Sequence, residues 1–298
     1  MMTARVRGKT RHLQAAILRL RKVFARLRWV RAISQWRSDQ LFRRWKRQNP
    51  GRTHAEFYAE TIERRLSRGK HHATLGARGW VGHTGVEWTR DSFAKQGLDM
   101  WPQIVAFGLE PNMRCVDYGC GSLRLGQHAI RYLEPGNYFG VDVSRAFIEQ
   151  GKELVGDELL TSKRPLLDLV SAEVVEQIAR WEPSFIFSNA VLTHVPPDEL
   201  GLFFSRLEAM MTGKSRAFVT FVASPRVERL RSMTWAYSFE HLQLAAAIAS
   251  PSLQLELRDV EPELRKARGG TRQVLQITKS EAVQANDERL RVRSSRAR

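Results

Sequence analysis

Asp117 and Asp142 each stand at the end of a short apolar, β-prone run, Cys115-Val116-Asp117 and Tyr138-Phe139-Gly140-Val141-Asp142, and Gly119 and Gly121 follow the first of them. A strand that ends in a carboxylate and turns through glycines lets a ligand approach the backbone closely while the acids hold its polar groups. Residues 122–133 read as a helix, with Leu125, Ala129, Ile130 and Leu133 at helical spacing and Glu134-Pro135-Gly136 as its stop. Ser144 stands where an N-cap would open the next helix. Strand, turn, helix and strand in this order describe a nucleoside pocket at the carboxyl edge of a doubly wound sheet. Gly121 and Asp142 lie 21 positions apart, against about 20 for a ribose-binding acid in such a unit.

The turn also limits what the nucleoside carries. A dinucleotide fingerprint places a third glycine where Arg124 stands, and the Gly-Lys-Ser/Thr of a triphosphate loop is missing. The pattern therefore suits a nucleoside without a pyrophosphate or triphosphate.

The run VDYGCGSLRLG followed by YFGVDVS resembles motif I and its follower in class I S-adenosylmethionine-dependent methyltransferases. The resemblance implies an α/β fold: a doubly wound, mostly parallel, seven-stranded Rossmann-like sheet, here with an N-terminal helical extension. It implies that Asp117, Gly119, Cys120 and Gly121 line the methionine and ribose side of S-adenosyl-L-methionine, and that Asp142 holds the ribose hydroxyls. Many family members have a further glycine where Leu123 stands. A second stretch, PSFIFSNAVLTHVP over residues 183–196, resembles the fourth strand and following segment of small-molecule methyltransferases. By that resemblance Ser188 and Asn189 fall near the methionine or sulfonium side. The Asn-Pro-Pro-Tyr or Asp-Pro-Pro-Tyr signature of methylation on base amino groups is absent, which disfavours a nucleic-acid amine as acceptor.

His194 is the candidate catalytic base, because an imidazole titrating near neutrality at a pocket rim can accept the acceptor's proton. The competing reading is a histidine that only hydrogen-bonds its own loop. Methyl transfer can proceed without a strong base, since a sulfonium donor is already activated and alignment supplies much of the acceleration. His71 and His72 are adjacent and point apart on any regular element, so no metal is expected. Asp168 and Ser171, within and just after the expected third strand Pro165–Val170, are the local candidates for the adenine contact that the family places after this strand, but no motif fixes either.

A chain of 298 residues that is 43% hydrophobic can bury a substantial core. Its two cysteines form neither a zinc spacing nor a disulfide framework, and a reducing cytoplasm is the expected compartment. No apolar run is long enough to span a bilayer, and the first residues lack the apolar core of a secretion signal. The net charge of +17 is unevenly placed: residues 1–52 hold 16 Lys/Arg and Asp39 alone, residues 281–298 hold 5 Arg and 3 acids, and the remainder has 27 of each sign.

Residues 1–52 are therefore read as a basic amphipathic helical arm, 53–280 as the methyltransferase domain with an N-terminal covering segment, and 281–298 as a basic disordered tail. In the arm Leu13, Ile17, Leu20, Phe24 and Leu27 form one stripe among arginines, which then drifts to Trp29, Val30, Ile33 and Trp36 and on to Leu41, Phe42 and Trp45. Such a helix suits an anionic membrane surface, making the protein membrane-peripheral. The alternatives are a helix packed on the domain or on a partner subunit, and a phosphate-binding arm for RNA. Asn49-Pro50-Gly51 marks the boundary; the resemblance implies that the segment of Trp80, His83 and Trp88 covers the site, while core packing is the favoured reading of the two tryptophans. The reading that follows is methyl transfer to oxygen, or else nitrogen, of a small molecule, sugar or lipid-linked precursor. RNA methylation and a non-catalytic cofactor-binding adaptor are the competitors.

Overall fold

The computed structural model describes residues 28–68, 80–81, 87–88, 97–267 and 270–280. Leu13 to Leu27 of the first stripe, His71, His72, His83 and residues 281–298 lie outside the described residues. Helices α1 (Arg28–Gln48) and α2 (His54–Leu66) come first, followed by a short antiparallel pair, β1 (Trp80–Val81) and β2 (Glu87–Trp88), with Trp80 opposite Trp88. Residues 91–109 resemble a helix interrupted at Gly97 and Pro102; α3 (Trp101–Ala106) begins after Gly97, which has φ +94, with Pro102 in its first turn, and 91–96 lie outside the described residues.

From there strands and helices alternate: β3 (Cys115–Tyr118), α4 (Gly126–Tyr132), β4 (Tyr138–Asp142), α5 (Arg145–Val155), α6 (Asp157–Lys163), β5 (Leu166–Leu169), α7 (Ala172–Trp181), β6 (Phe185–Ser188), α8 (Leu200–Met210) and β7 (Arg216–Ala223). A hairpin, β8 (Glu228–Arg231) and β9 (Thr234–Ala236), leads into α9 (Phe239–Ala249). The chain then adds β10 (Leu253–Arg258), the two-residue β11 (Lys266–Ala267) and β12 (Gly270–Lys279). The spatial order is β10-β12-β7-β6-β3-β4-β5. Strands β3 to β7 run parallel, while β12 pairs antiparallel with both β7 and β10. This is the expected seven-stranded, mostly parallel sheet.

The strand sequences show why it forms. A sheet covered on both faces needs strands apolar on both sides, and β3, β4 and β6 are buried at every residue. Val116, Ile186 and Val219 pack on one face against α7, α8 and α9; Cys115, Phe187 and Phe218 pack on the other against α3, α4 and α5. Asp117, two residues from Cys115, falls on the second face by the alternation of the pleat.

Two boundaries differ from the sequence reading. The first helix of the core starts at Gly126 rather than at residue 122, because Gly121 and Leu123 take left-handed backbone angles. Ser144 precedes α5 without a side-chain cap; its backbone N–H is instead held by Asp142.

The described part of the arm is docked on the domain. Asn49-Pro50-Gly51 is a turn joining α1 to α2, where Thr53 and Glu56 form a capping box. Trp45 is buried against Phe57, and its indole N–H donates to Glu60 at 2.7 Å. Asp39 pairs with Arg229 of β8 at 2.6 Å, and Gln35 donates to the Arg229 carbonyl.

Candidate functional site

The glycine turn is tied to β4 at several points. The backbone N–H groups of Gly119 and Cys120 both donate to the Val141 carbonyl, at 2.8 and 3.0 Å. The Gly121 N–H donates to Asp142 Oδ2 at 2.8 Å, and the Ser144 N–H donates to Asp142 Oδ1 at 3.0 Å. Asp142 thus fixes the turn and the start of α5 together. A carboxylate offers about four lone-pair sites, so acceptor capacity remains for ribose hydroxyls. Burial raises the Asp142 pKa, opposed by the N–H groups of Ser144, Gly121 and Val143.

Gly119 has φ +89, and a Cβ placed there would sit 2.1 Å from Val191 Cγ2. The loop after β6 therefore closes directly over this glycine. Leu123 keeps φ +57, the conformation that a glycine would take there without strain. Its side chain is fully buried where Gly126 and Gly151 leave room: a Cβ on either would fall within 2.9 Å of it. The leucine is accommodated by two glycines elsewhere.

Asp117 is buried, and its Oδ2 accepts a hydrogen bond from the Tyr138 hydroxyl at 2.7 Å. Burial drives its pKa up to about 8, Tyr138 pulls it down, and the charge of Asp142 pushes it up again. At neutral pH this carboxyl holds a proton.

A cavity of about 430 Å³ opens at the carboxyl ends of β3 and β6, within the roughly 300–1,000 Å³ of ligand pockets. Asp117, Gly119, Cys120, Gly121 and Asn189 all line it, so five of the eight expected site residues meet at one wall. Three do not line it. Asp142 stands behind the turn it clamps; Ser188 is buried with its hydroxyl donating to the Tyr118 carbonyl at 2.8 Å; and His194 lies farther along the loop. Ser171 caps α7 through the Val174 N–H at 3.2 Å. Among the described residues no group of three His, Cys, Asp or Glu is placed to hold a metal.

Sequence reading missed three parts of this site. Arg272 and Asp99, paired at 3.7 Å, reach the cavity from β12 and the segment before α3; nothing in their local sequence marks them. Thr220 does carry a signal, being the polar residue inside the apolar run of β7. Its Oγ1 accepts from the Ala190 N–H at 2.6 Å and donates to Asn189 Oδ1 at 3.1 Å. It thereby holds Ala190 at φ +61 and leaves the Asn189 NH2 as the group able to donate to an occupant. Thr220→Val, nearly isosteric, removes both hydrogen bonds and is expected to cost about 1 kcal/mol in thermal denaturation, with Thr220→Ser close to wild type.

The third is Tyr58 of α2, electrostatically coupled to Asp142 and to Arg124 of the cavity lining. Its ring lies 5.3 Å from that of His194, and burial with the nearby Asp142 charge keeps its hydroxyl protonated. His194 Nδ1 donates to the Met233 carbonyl at 2.9 Å, which leaves Nε2 as the lone-pair nitrogen. Burial lowers the pKa of the ring and the Met233 carbonyl raises it in part. His194 is thus a neutral imidazole with a fixed tautomer.

The sheet order, the glycine turn and the acid at the end of β4 together define the Rossmann-like fold of class I S-adenosylmethionine-dependent methyltransferases. Solved structures agree. The chain superimposes on a magnesium protoporphyrin IX methyltransferase from Synechocystis, crystallised with S-adenosylmethionine, with a TM-score of 0.50 and 15% identity, covering 78% of this chain and 100% of that one. A S-adenosylmethionine-dependent methyltransferase from Anabaena variabilis gives a TM-score of 0.50 and 11% identity, covering 78% and 97%. No protein-family profile and no curated protein matches the chain.

Proposed function

We propose that the chain is an S-adenosyl-L-methionine-dependent methyltransferase acting on oxygen of a small molecule, sugar or lipid-linked precursor. One observation carries the reading: a cavity of nucleoside size is walled by the Gly119–Gly121 turn, which Asp142 clamps and Asn189 faces. Among the described residues this wall offers the Asp117 carboxyl and the Asn189 amide, while the N–H groups of Gly119, Cys120 and Gly121 hold the turn against Val141 and Asp142. Asp142 would hold the ribose hydroxyls, Asp117 the cationic end of the methionine portion, and Asn189 a polar group beside it. Bound there, the cofactor supplies a methyl group already activated by a sulfonium. Asn189 and the turn would orient the donor. His194 Nε2, neutral and lone-paired, would take the acceptor's proton as the oxygen–carbon bond forms.

Calorimetry with S-adenosylhomocysteine tests the cofactor assignment. Asp142→Ala is expected to weaken saturable binding by about 2–3 kcal/mol, the loss of charge-assisted hydrogen bonds to a carboxylate. Unchanged affinity in a folded variant removes the ribose assignment. Incubation with methyl-labelled cofactor and cell extract, followed by nuclease digestion and organic extraction, sorts the acceptor into lipid, soluble glycan or RNA. Label in the nuclease-sensitive fraction favours the RNA reading, and no label the adaptor reading.

A further inference from the structure

We propose that the outward face of α1 is a docking surface for an anionic lipid bilayer. The helix has two apolar sides. Phe42 and Trp45 turn inward onto His54 and Phe57, and Asp39 and Gln35 are fixed by Arg229. Trp29, Ile33 and Trp36, spaced i, i+4, i+7, form a stripe on the other side. They stay uncovered, Trp29 at 58%, Ile33 at 45% and Trp36 at 61% exposure.

The charge around that stripe selects the partner. Arg37, Arg43, Arg44 and Arg47 are exposed on the same helix, and the single acid of residues 1–52, Asp39, is engaged at 2.6 Å by Arg229 on the inner side. The outward face therefore combines two indoles and an isoleucine with guanidinium groups and no carboxylate. Arginines attract lipid phosphates while tryptophan rings settle at the headgroup boundary, where one edge is apolar and the other wet. A second copy of this chain would meet these arginines with a net charge of +17, and RNA phosphates would leave the isoleucine without an apolar partner. Among the described residues no helix is long and apolar enough to cross a membrane, so the contact is along the surface. The surface stands without the cofactor assignment.

Sedimentation of the full-length protein with vesicles of phosphatidylglycerol and phosphatidylcholine, against phosphatidylcholine alone, tests it. Wild-type protein is expected to sediment with the anionic vesicles only, with a blue shift of tryptophan emission, and to keep part of its binding at high salt. A Trp29→Ser, Ile33→Ser, Trp36→Ser variant should melt as wild type does, lose about tenfold or more in partitioning and lose the salt-resistant part. An Arg43→Gln, Arg44→Gln, Arg47→Gln variant should lose the preference for anionic vesicles. The proposal is overturned if wild type ignores both vesicles, if the apolar variant partitions like wild type, or if a homopolymeric RNA strips the protein from vesicles and is itself released by moderate salt.

Discussion

Gly119→Ala is expected to weaken cofactor binding severely while leaving the sheet folded. A new methyl group would meet Val191 Cγ2 at 2.1 Å, and the residue would have to hold φ +89. Left-handed strain and overpacking together cost about 2–4 kcal/mol. The cheapest relief is to push the loop after β6 away from the turn, which carries Asn189 and Ala190 with it and opens the cavity wall. Calorimetry should therefore show affinity falling by about 30-fold or more, accompanied by a modest drop in melting temperature. The double variant Gly119→Ala, Val191→Ala separates the two causes: it removes the contact with Cγ2 but keeps the strain, so part of the affinity should return. No recovery would mean that backbone strain alone governs the turn, and normal binding in the single variant would mean that the loop does not report on the ligand.

The same contact explains which parts of the site could be read in the sequence. Asp117, Gly119, Gly121 and Asp142 lie within one strand-turn-helix-strand unit, where local spacing dictates geometry, and pairing of the two strands brings Asp142 onto the Gly121 N–H. Asn189 was placed by the apolar run before it, since a buried strand must deliver its next residue to the sheet edge. Ser188, one residue earlier, still belongs to the strand, and its hydroxyl satisfies the Tyr118 carbonyl. A shift of one residue reverses the face.

Long-range pairing hid the rest. Arg272 meets Asp99 across most of the chain, and Thr220 acts through Ala190, 30 positions away. Neither relation leaves a local period. The arm shows a different limit. Its helical pattern was legible, but Phe42, Trp45, Trp29 and Trp36 are all large and apolar, and amphipathicity does not say which of two stripes the protein covers. The ion pair of Asp39 with Arg229 orients the described part of the helix.

Asp117→Asn is expected to alter the pH dependence of stability and of binding in opposite senses. Burial drives the pKa of the carboxyl up to about 8 in the folded chain, against about 3.9 in an unfolded one. Between these values the native state holds a proton that the unfolded state has lost, so stability falls as pH rises through that window and levels off above about pH 8. Asparagine cannot lose a proton and still accepts from the Tyr138 hydroxyl. The variant should show a flatter melting profile and exceed wild type in stability at pH 8.5. Binding runs the other way. A cationic ligand end beside Asp117 favours the ionised form, so wild-type protein should release a proton on binding and gain affinity from pH 6 to pH 8, by up to about tenfold per unit. The variant should bind more weakly and lose that gain. Calorimetry in buffers of different ionisation enthalpy measures the proton directly, and the ligand's own amino group titrates against both proteins, so the difference between them isolates Asp117. Identical pH profiles for the two would show that the buried carboxyl neither faces the ligand nor carries the proton assigned to it.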